Sequence, residues 1–274
     1  MNLRISKVGL VSHPKINNAI TRRVFQILSG HDFSLLLDPI TAKKIGDRGV
    51  DVREMDVDLA VVIGGDGTIL WTINEIEDEP LILGINAGRV GYLAEVNVDE
   101  FEEKFKMLLN GKFFIDERIK LKINKKYEAL NDALIIARKP SQLLEFEIHL
   151  DGIEIARFRA DGVLVATPTG STGHSIALGG PILHKESETF SIVPMNSFLL
   201  EQGPIVVPNN SKITISQIRK NTDSILVLDG MLIMELGQNQ RVEIEKAERV
   251  ARFIRFSRNF SYEYINIRKK RVSV

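Results

Sequence analysis

Asp66 stands among three glycines, Gly64, Gly65 and Gly67, in the run VVIGGDGTIL from Val61 to Leu70. Successive backbone N–H groups in a glycine turn that opens a helix make a seat for an anion such as a phosphate. A carboxylate in the middle of that seat is costly unless a metal ion or a hydroxyl proton offsets it. Asp66 is therefore either a turn or helix-cap residue ahead of Thr68, or an acid that meets a bound group. The common phosphate-loop templates do not fit. No G-x-x-x-x-G-K-[ST] occurs, and G-G-D-G-T is not G-x-G-x-x-G.

Three further stretches carry polar residues at unusual places. GINAGRVGYLAE, from Gly84 to Glu95, sets Asn86 beside Gly88 and Gly91; turn geometry explains those glycines as well as a ligand does. ALNDALI puts Asn131 and Asp132 inside an apolar run, as a bulge or as a binding pair. ADGVLVATPTGSTGHSIALGGPI, from Ala160 to Ile182, gathers Thr169, Gly170, Ser171, Thr172 and Gly173 where a helix would begin. Ser171 is not in a G-x-S-x-G nucleophile elbow, because position 169 is threonine. The three hydroxyls are ligand-positioning or capping groups, not nucleophiles. His174 by itself fits a packed or capping role better than a catalytic one.

The elements that must hold these stretches are legible from periodicity. ISKVGLV, FSLLLD, LAVVIGG and PLILGIN read as strands, with NNAITRRVFQIL and TILWTINEI as helices between them. That βαβ rhythm predicts an open α/β domain with ligands at the carboxyl ends of its strands. DEFEEKFKMLLNGK reads as a helix with a capping box from Asp99 to Glu102 and an end at Gly111. Beyond it, Asp151-Gly152 and Asp229-Gly230 are two-residue hairpin loops in alternating strands. The expected domains are 1–98, completed by 251–274, and a mainly β domain over 99–250. The tail FSYEYINIRKKR is expected to be helical.

Composition excludes several classes. Lys+Arg and Asp+Glu both number 36, so no strong basic field marks a nucleic-acid binder. The absence of cysteine removes thiolate catalysis, disulfides and Cys-ligated metals. The five histidines show no H-E-x-x-H spacing. No apolar run has the length of a membrane span, and no signal-peptide pattern opens the chain, so a cytoplasmic protein is expected. The basic RKKR of Arg268 to Arg271 fits a solvated tail.

In order and spacing, these stretches resemble the NAD kinase family. The match runs through GGDGT (Gly64 to Thr68), the N-x-G-x-x-G-[FY]-L form of Asn86 to Leu93, and Asn131-Asp132. It continues through D-G-x-x-x-x-T-P-T-G-S-T from Asp161 to Thr172, GGP at 179 to 181, and Asp229-Gly230. GGDG alone is shared with lipid kinases and phosphofructokinases; the Asp161–Pro181 stretch is much more specific. The resemblance implies an N-terminal α/β domain, a C-terminal β-sandwich-like domain, and a last segment packing back on the first. It implies phosphoryl transfer from ATP or polyphosphate to the adenosine-ribose 2′-OH of NAD, with a divalent metal, usually magnesium, in a homodimer or homotetramer.

Carried over by motif, Asp66 would be the catalytic acid–base group. Gly64, Gly65, Gly67 and Thr68, with Asn86 and Gly88, would face the donor phosphates. Asn131 and Asp132 would hold the adenosine ribose, with Thr169 to Gly173 lining that pocket. Asp161 would sit towards the nicotinamide half and Asp229 further off. Where the family has Ala-Tyr this chain has Gly173-His174, and a family serine falls on Ala177. Asp132 replaces the usual glutamate, and SFLLEQGPIVVP lacks the family's arginine. These departures lie on the acceptor side. They leave open a kinase of the same architecture acting on NADH or another nucleoside, or a dinucleotide-binding regulatory module without catalysis.

Overall fold

The computed structural model of the protein describes residues 5–87, 91–219, 222–237 and 240–258. The chain divides into two compact units. The first runs to Glu117 and resumes at Ala251; the second spans Arg118–Val250.

The first unit holds β1 (Lys7–Ser12), α1 (Asn18–Ser29), β2 (Ser34–Leu37), α2 (Pro39–Ile45), β3 (Leu59–Ile63), α3 (Asp66–Glu75), β4 (Leu81–Asn86), β5 (Val96–Asn97) and α4 (Phe101–Leu109). Its strands are parallel, in the order β2-β1-β3-β4, with β5 on the outer side of β4. Every residue of β3 and β4 is buried, which is why both strands read as unbroken apolar runs. Between β1 and β3 the winding changes direction, since β1 leads to β2 on one flank and β3 to β4 on the other. Such a switch leaves a crevice beyond the strands' carboxyl ends.

The first unit extends past the expected residue 98. Helix α4 buries Phe101, Phe105 and Leu108 in the same core as Val24 and Leu28 of α1. Its N-terminus also differs from expectation. The capping box is formed by Asn97 and Glu100, and a 3-10 turn over Val98–Glu100 leads into the helix. Asp99 instead reaches Arg23, at 3.0 Å.

The second unit begins within β6 (Phe114–Ile123) and contains β7 (Tyr127–Ala129), β8 (Asp132–Ala137), β9 (Leu144–Leu150), β10 (Ile153–Ala160), β11 (Gly162–Ala166) and the short helix α5 (His174–Ala177). It continues with β12 (Thr189–Met195), β13 (Ile205–Pro208), β14 (Ile213–Gln217), β15 (Ser224–Leu228), β16 (Met231–Leu236) and β17 (Arg241–Arg255), whose last residues belong to the first unit. One antiparallel sheet has the order β13-β12-β11-β8-β15-β16; a second runs β10-β9-β14-β17. Phe146 and Phe158 from one sheet pack with Val163, Val165 and Phe190 from the other, which makes the unit a β-sandwich. Both expected hairpin loops form. Asp151 and Gly152 have φ of 52° and 85°, and Asp229 and Gly230 have 49° and 81°, as a type I′ turn requires.

The C-terminal segment completes the first unit as expected. Arg252 and Phe253 pair with Leu81 and Ile82 of β4, and Ile254 joins the core. Arg255 is 4% exposed; its Nε meets Asp116 at 3.3 Å and its Nη1 donates to the Leu93 carbonyl at 2.7 Å. The expected helix at FSYEYINIRKKR lies outside the described residues. Among the described residues no helix is long and apolar enough to cross a membrane.

Removing one member of a buried ion pair leaves the other charge desolvated and uncompensated. Arg255→Ala is expected to lower unfolding stability by about 3–5 kcal/mol in urea denaturation. The double variant Arg255→Met/Asp116→Leu should lose less than this single one.

Candidate active site

The GGDGT loop follows β3 and is pinned at both ends. Gly64 N–H donates to the Ile85 carbonyl at the end of β4, 3.0 Å away. A Cβ on Gly64 would lie 2.4 Å from Thr68 Oγ1, so Thr68 packs directly on that backbone. Helix α3 then starts at Asp66, with Gly65 as its N-cap and no side-chain cap. The helix-cap alternative for Asp66 is therefore not what forms. Its carboxylate accepts from Tyr92 N–H at 2.8 Å and Leu93 N–H at 2.9 Å, tying the first glycine loop to the second. A Cβ on Gly91 would come within 2.3 Å of Asp66 Oδ1, so only glycine lets the second loop close on the acid. A carboxylate has about four lone-pair sites, and two remain on Asp66 for a ligand.

Gly65 and Gly67 differ from Gly64 and Gly91. Among the described residues, a Cβ on either would meet nothing within 4 Å. Gly65 has an extended backbone (φ −93°, ψ −176°), and Gly67 is not among the residues with positive φ. Among the described residues neither positive φ nor packing calls for glycine at either position, and Gly65 stands at the N-cap, where glycine is favoured. Asn86 ends β4 and is buried. Gly88 lies outside the described residues.

Beside this loop a cavity of about 490 Å³ occupies the β1/β3 switch point. Gly64, Gly65, Gly67 and Thr68 line it on the β3 side, and Ser12, His13, Pro14 and Ile16 on the β1 side. Ile40 of α2 and Trp71 of α3 complete the lining. No motif marks His13, Ile40 or Trp71 in the sequence. The available signal is that Trp71 falls one helical turn after Gly67, on the same face.

In the second unit the expected residues gather around the start of β8. Asp229 accepts three backbone N–H bonds, from Leu130, Asn131 and Asp132, at 2.8, 2.7 and 3.0 Å. The Asn131 carbonyl accepts from Thr167 N–H at 2.9 Å, and Thr167 Oγ1 donates to the Leu130 carbonyl at 2.6 Å. Gly170 sits so tightly on Asn131 that a Cβ would lie 2.0 Å from its carbonyl oxygen. Ser171 is fully buried, donating to the Pro168 carbonyl and accepting from Leu183 N–H, so its hydroxyl shapes the loop. Thr172 Oγ1 donates to the Thr169 carbonyl at 3.2 Å. Gly173, His174 and Ala177 are exposed, the last two on one side of α5.

Asp161 is not part of that cluster. It precedes β11, whereas Thr169 to Gly173 follow it, so a strand of roughly 16 Å separates them. Its Oδ2 accepts from Asn196 Nδ2 at 2.9 Å. A residue that no motif marks is Arg118, 5% exposed, whose Nη1 reaches Thr169 Oγ1 at 3.5 Å.

Asp132 and Asp229 meet different fates. Asp229 receives the amides. Asp132 is 7% exposed, and burial, followed by the Asp229 charge, pushes its carboxyl from 3.8 up to about 7. Elsewhere, Glu147, His149 and Glu154 come together on the β9–β10 hairpin, in the other sheet of the sandwich.

The chain joins an α/β unit, whose glycine loop opens a helix, to a β-sandwich, and the relatives it matches make it a kinase. Sequence comparison identifies its kind. The ATP-NAD kinase N-terminal domain matches residues 8–113, and the ATP-NAD kinase C-terminal domain matches residues 130–256. The NAD kinase of Methanothermobacter thermautotrophicus is 36% identical, with 96% of this chain and 95% of that protein covered. That of Thermococcus gammatolerans is 37% identical over 91% of this chain and 93% of its own. Among solved structures, an NAD kinase from Archaeoglobus fulgidus in complex with ATP superposes with a TM-score of 0.81 at 27% identity, covering 96% of this chain and 98% of that one. Yeast NADH kinase complexed with NADH shares the fold, with a TM-score of 0.89 at 20% identity over 97% of this chain and 87% of its own. The chain belongs to the NAD kinase family.

The raised Asp132 carboxyl has a consequence for stability. Between about pH 4 and 7 the folded state holds a proton that the unfolded state has released, so this group makes stability fall as pH rises. Asp132→Asn is expected to flatten the slope of unfolding free energy over that window, measured by denaturant titration at several pH values. The change should amount to a few kcal/mol, on the scale of about 1.4 kcal/mol per unit.

Proposed function

We propose that the protein transfers the γ-phosphoryl group of ATP to the adenosine-ribose 2′-OH of NAD, giving NADP and ADP. The observation that carries this reading is Gly67. In the first turn of α3, Gly67 gives up some helix stability relative to alanine. With open space beside Gly67 and no positive φ, close approach of a ligand to the bare backbone accounts for that cost. The N–H groups of the first turn of α3, uncapped by any side chain, supply donors for phosphate oxygens.

In this reading the acceptor hydroxyl attacks the γ-phosphorus. The bond from that phosphorus to the β,γ-bridging oxygen breaks, and ADP leaves with the bridging oxygen. Asp66 orients the hydroxyl and takes its proton, held in place by the Tyr92 and Leu93 amides. Asn131 and Asp132 hold the adenosine ribose. Asp132, protonated or ionised near neutral pH, serves as donor or acceptor towards a hydroxyl. Asp161, a strand length away, suits the nicotinamide half of an extended dinucleotide. Thr172, Gly173, His174 and Ala177 line the acceptor side, where an imidazole stands in place of the family's phenol.

The residues fit magnesium in the form it takes beside phosphates, with few protein ligands and several waters. Asp66, with two lone-pair sites left, is the side chain of the glycine loop that would touch it. The ion, when bound, neutralises charge on the transferring group. A homodimer or homotetramer in the cytoplasm belongs to the same reading and rests on family membership.

A coupled assay with magnesium, ATP and NAD tests the reaction. The wild type should form NADP, and Asp66→Asn should lose about 10²–10⁴-fold in kcat while still binding NAD. Unchanged turnover in the variant would remove Asp66 from the chemistry. Transfer to NADH or another nucleoside, but not to NAD, would reassign the acceptor.

A further inference from the structure

The cavity at the β1/β3 switch point has two chemically different sides. One is the bare backbone of Gly65 and Gly67. The other carries Pro14, Ile16, Ile40 and Trp71. Its volume of about 490 Å³ lies within the range of small-molecule sites and exceeds what a few phosphates at the loop would fill.

Among the described residues that line it there is no lysine or arginine. Lys44 of α2 is buried, and its ammonium group is spent on the β1–α1 loop. It donates to Ser12 Oγ at 3.1 Å, the His13 carbonyl at 2.6 Å and the Ile16 carbonyl at 2.9 Å. Those are all three of its protons. Lys44 thus braces the wall formed by residues 12–16 and is not available to an anion. A chain of inorganic phosphates carries charge along its whole length, whereas the described wall of Pro14, Ile16, Ile40 and Trp71 is apolar. A planar heterocycle does find a partner, because Trp71 lies one turn beyond Gly67 on the same face of α3. His13 adds a hydrogen-bonding edge. Lys15 N–H donates to its Nδ1 at 3.2 Å, which leaves Nε2 to carry the ring proton.

We infer that this cavity is the base subsite of the phosphoryl donor, with Trp71 as its stacking surface, and that it selects a nucleoside triphosphate over inorganic polyphosphate. The inference rests on the kinase reading above, in which the glycine loop holds the donor's phosphates. It adds Trp71, Ile40 and His13 to the donor site and assigns them to the base. The binding step is non-covalent, and the transferred group is the terminal phosphoryl in either case.

Trp71 is the single tryptophan of the chain, so its emission reports on this site alone. The full-length wild type is titrated with ATP and, separately, with tripolyphosphate, in magnesium and without NAD. ATP should change the emission saturably, and tripolyphosphate should leave it unchanged. In steady-state assays Trp71→Ala should raise KM for ATP by about 5- to 150-fold, the range of base–aromatic stacking. KM for NAD should stay the same. Trp71→Phe, which keeps an aromatic face, should recover most of the loss and serves where the alanine variant folds poorly. If the wild type makes NADP from ATP but its emission ignores ATP, the base subsite is wrong and the kinase reading stands. If ATP changes the emission but no NADP forms from any donor, the reaction is wrong and the base subsite stands. Equal use of ATP and polyphosphate by the wild type would overturn the selectivity.

Discussion

Two hydrogen bonds, from the amides of Tyr92 and Leu93 to the carboxylate of Asp66, hold the first unit's site in shape. Bonds between N–H groups and an ionised acceptor contribute roughly 1.5–3 kcal/mol each, more than neutral ones. The geometry permits them only because residue 91 is glycine. From Leu93 the constraint passes outward. Its carbonyl is held by Arg255, Arg255 is neutralised by Asp116, and Glu95 accepts from the amides of Phe256 and Ser257. A segment far along the chain thus fixes a loop that follows β4. The cost of burying Arg255 is met by an anion and a carbonyl together, as a buried charge requires. Moving either loop would mean breaking this whole series of bonds.

The second unit uses the same device with a different outcome. Asp229, in the left-handed backbone of a hairpin turn, gathers three amides and so fixes where β8 begins. Asp132 is left beside it without such donors. Two carboxylates close together in a dry place cannot both be comfortable as anions, and the one with fewer donors takes the proton. Asp229 is therefore tied to the backbone and Asp132 is not, although in the sequence both are aspartates next to an apolar run. The hydroxyls of Thr167 and Ser171 are likewise spent on holding the loop against Leu130 and Leu183. That leaves Thr169, Thr172, Gly173 and His174 as the groups with exposure to offer.

Much of this was legible in the sequence because it depends on short-range rules. Parallel strands buried on both faces read as apolar runs, and Asp-Gly pairs read as type I′ turns. The glycine loops announced themselves by composition. What stayed hidden depends on contacts between distant segments. The partners of Asp66 lie 26 and 27 residues away, so a cap and a clasp look identical in one dimension. The start of α4 shifted because two acidic residues compete as capping partners, and Asn97 with Glu100 wins while Asp99 turns to Arg23. The extent of the first unit was missed because Phe101 and Phe105 carry no sign of which core they enter. Ser171 reads in the sequence as a ligand-positioning or a capping group, because a buried hydroxyl and an exposed one share the same letter.

The glycines show how cost separates structure from function. Gly64, Gly91 and Gly170 are explained by the chain itself, because a methyl group at any of them would strike an atom less than 2.5 Å away. Gly152 and Gly230 are explained by positive φ. Gly65 is placed at an N-cap, where glycine is favoured, whereas among the described residues Gly67 has none of these reasons and weakens the first turn of its helix. A cost that the described part of the chain does not require is what supports the ligand reading of this glycine. By the same logic, a half-buried tryptophan on a cavity wall and a lysine whose three protons are all internal describe opposite kinds of surface. The first keeps a face for a partner, and the second has none left to give. Burial and satisfaction, counted atom by atom, thus distinguish the residues that hold this site from those that meet its ligand.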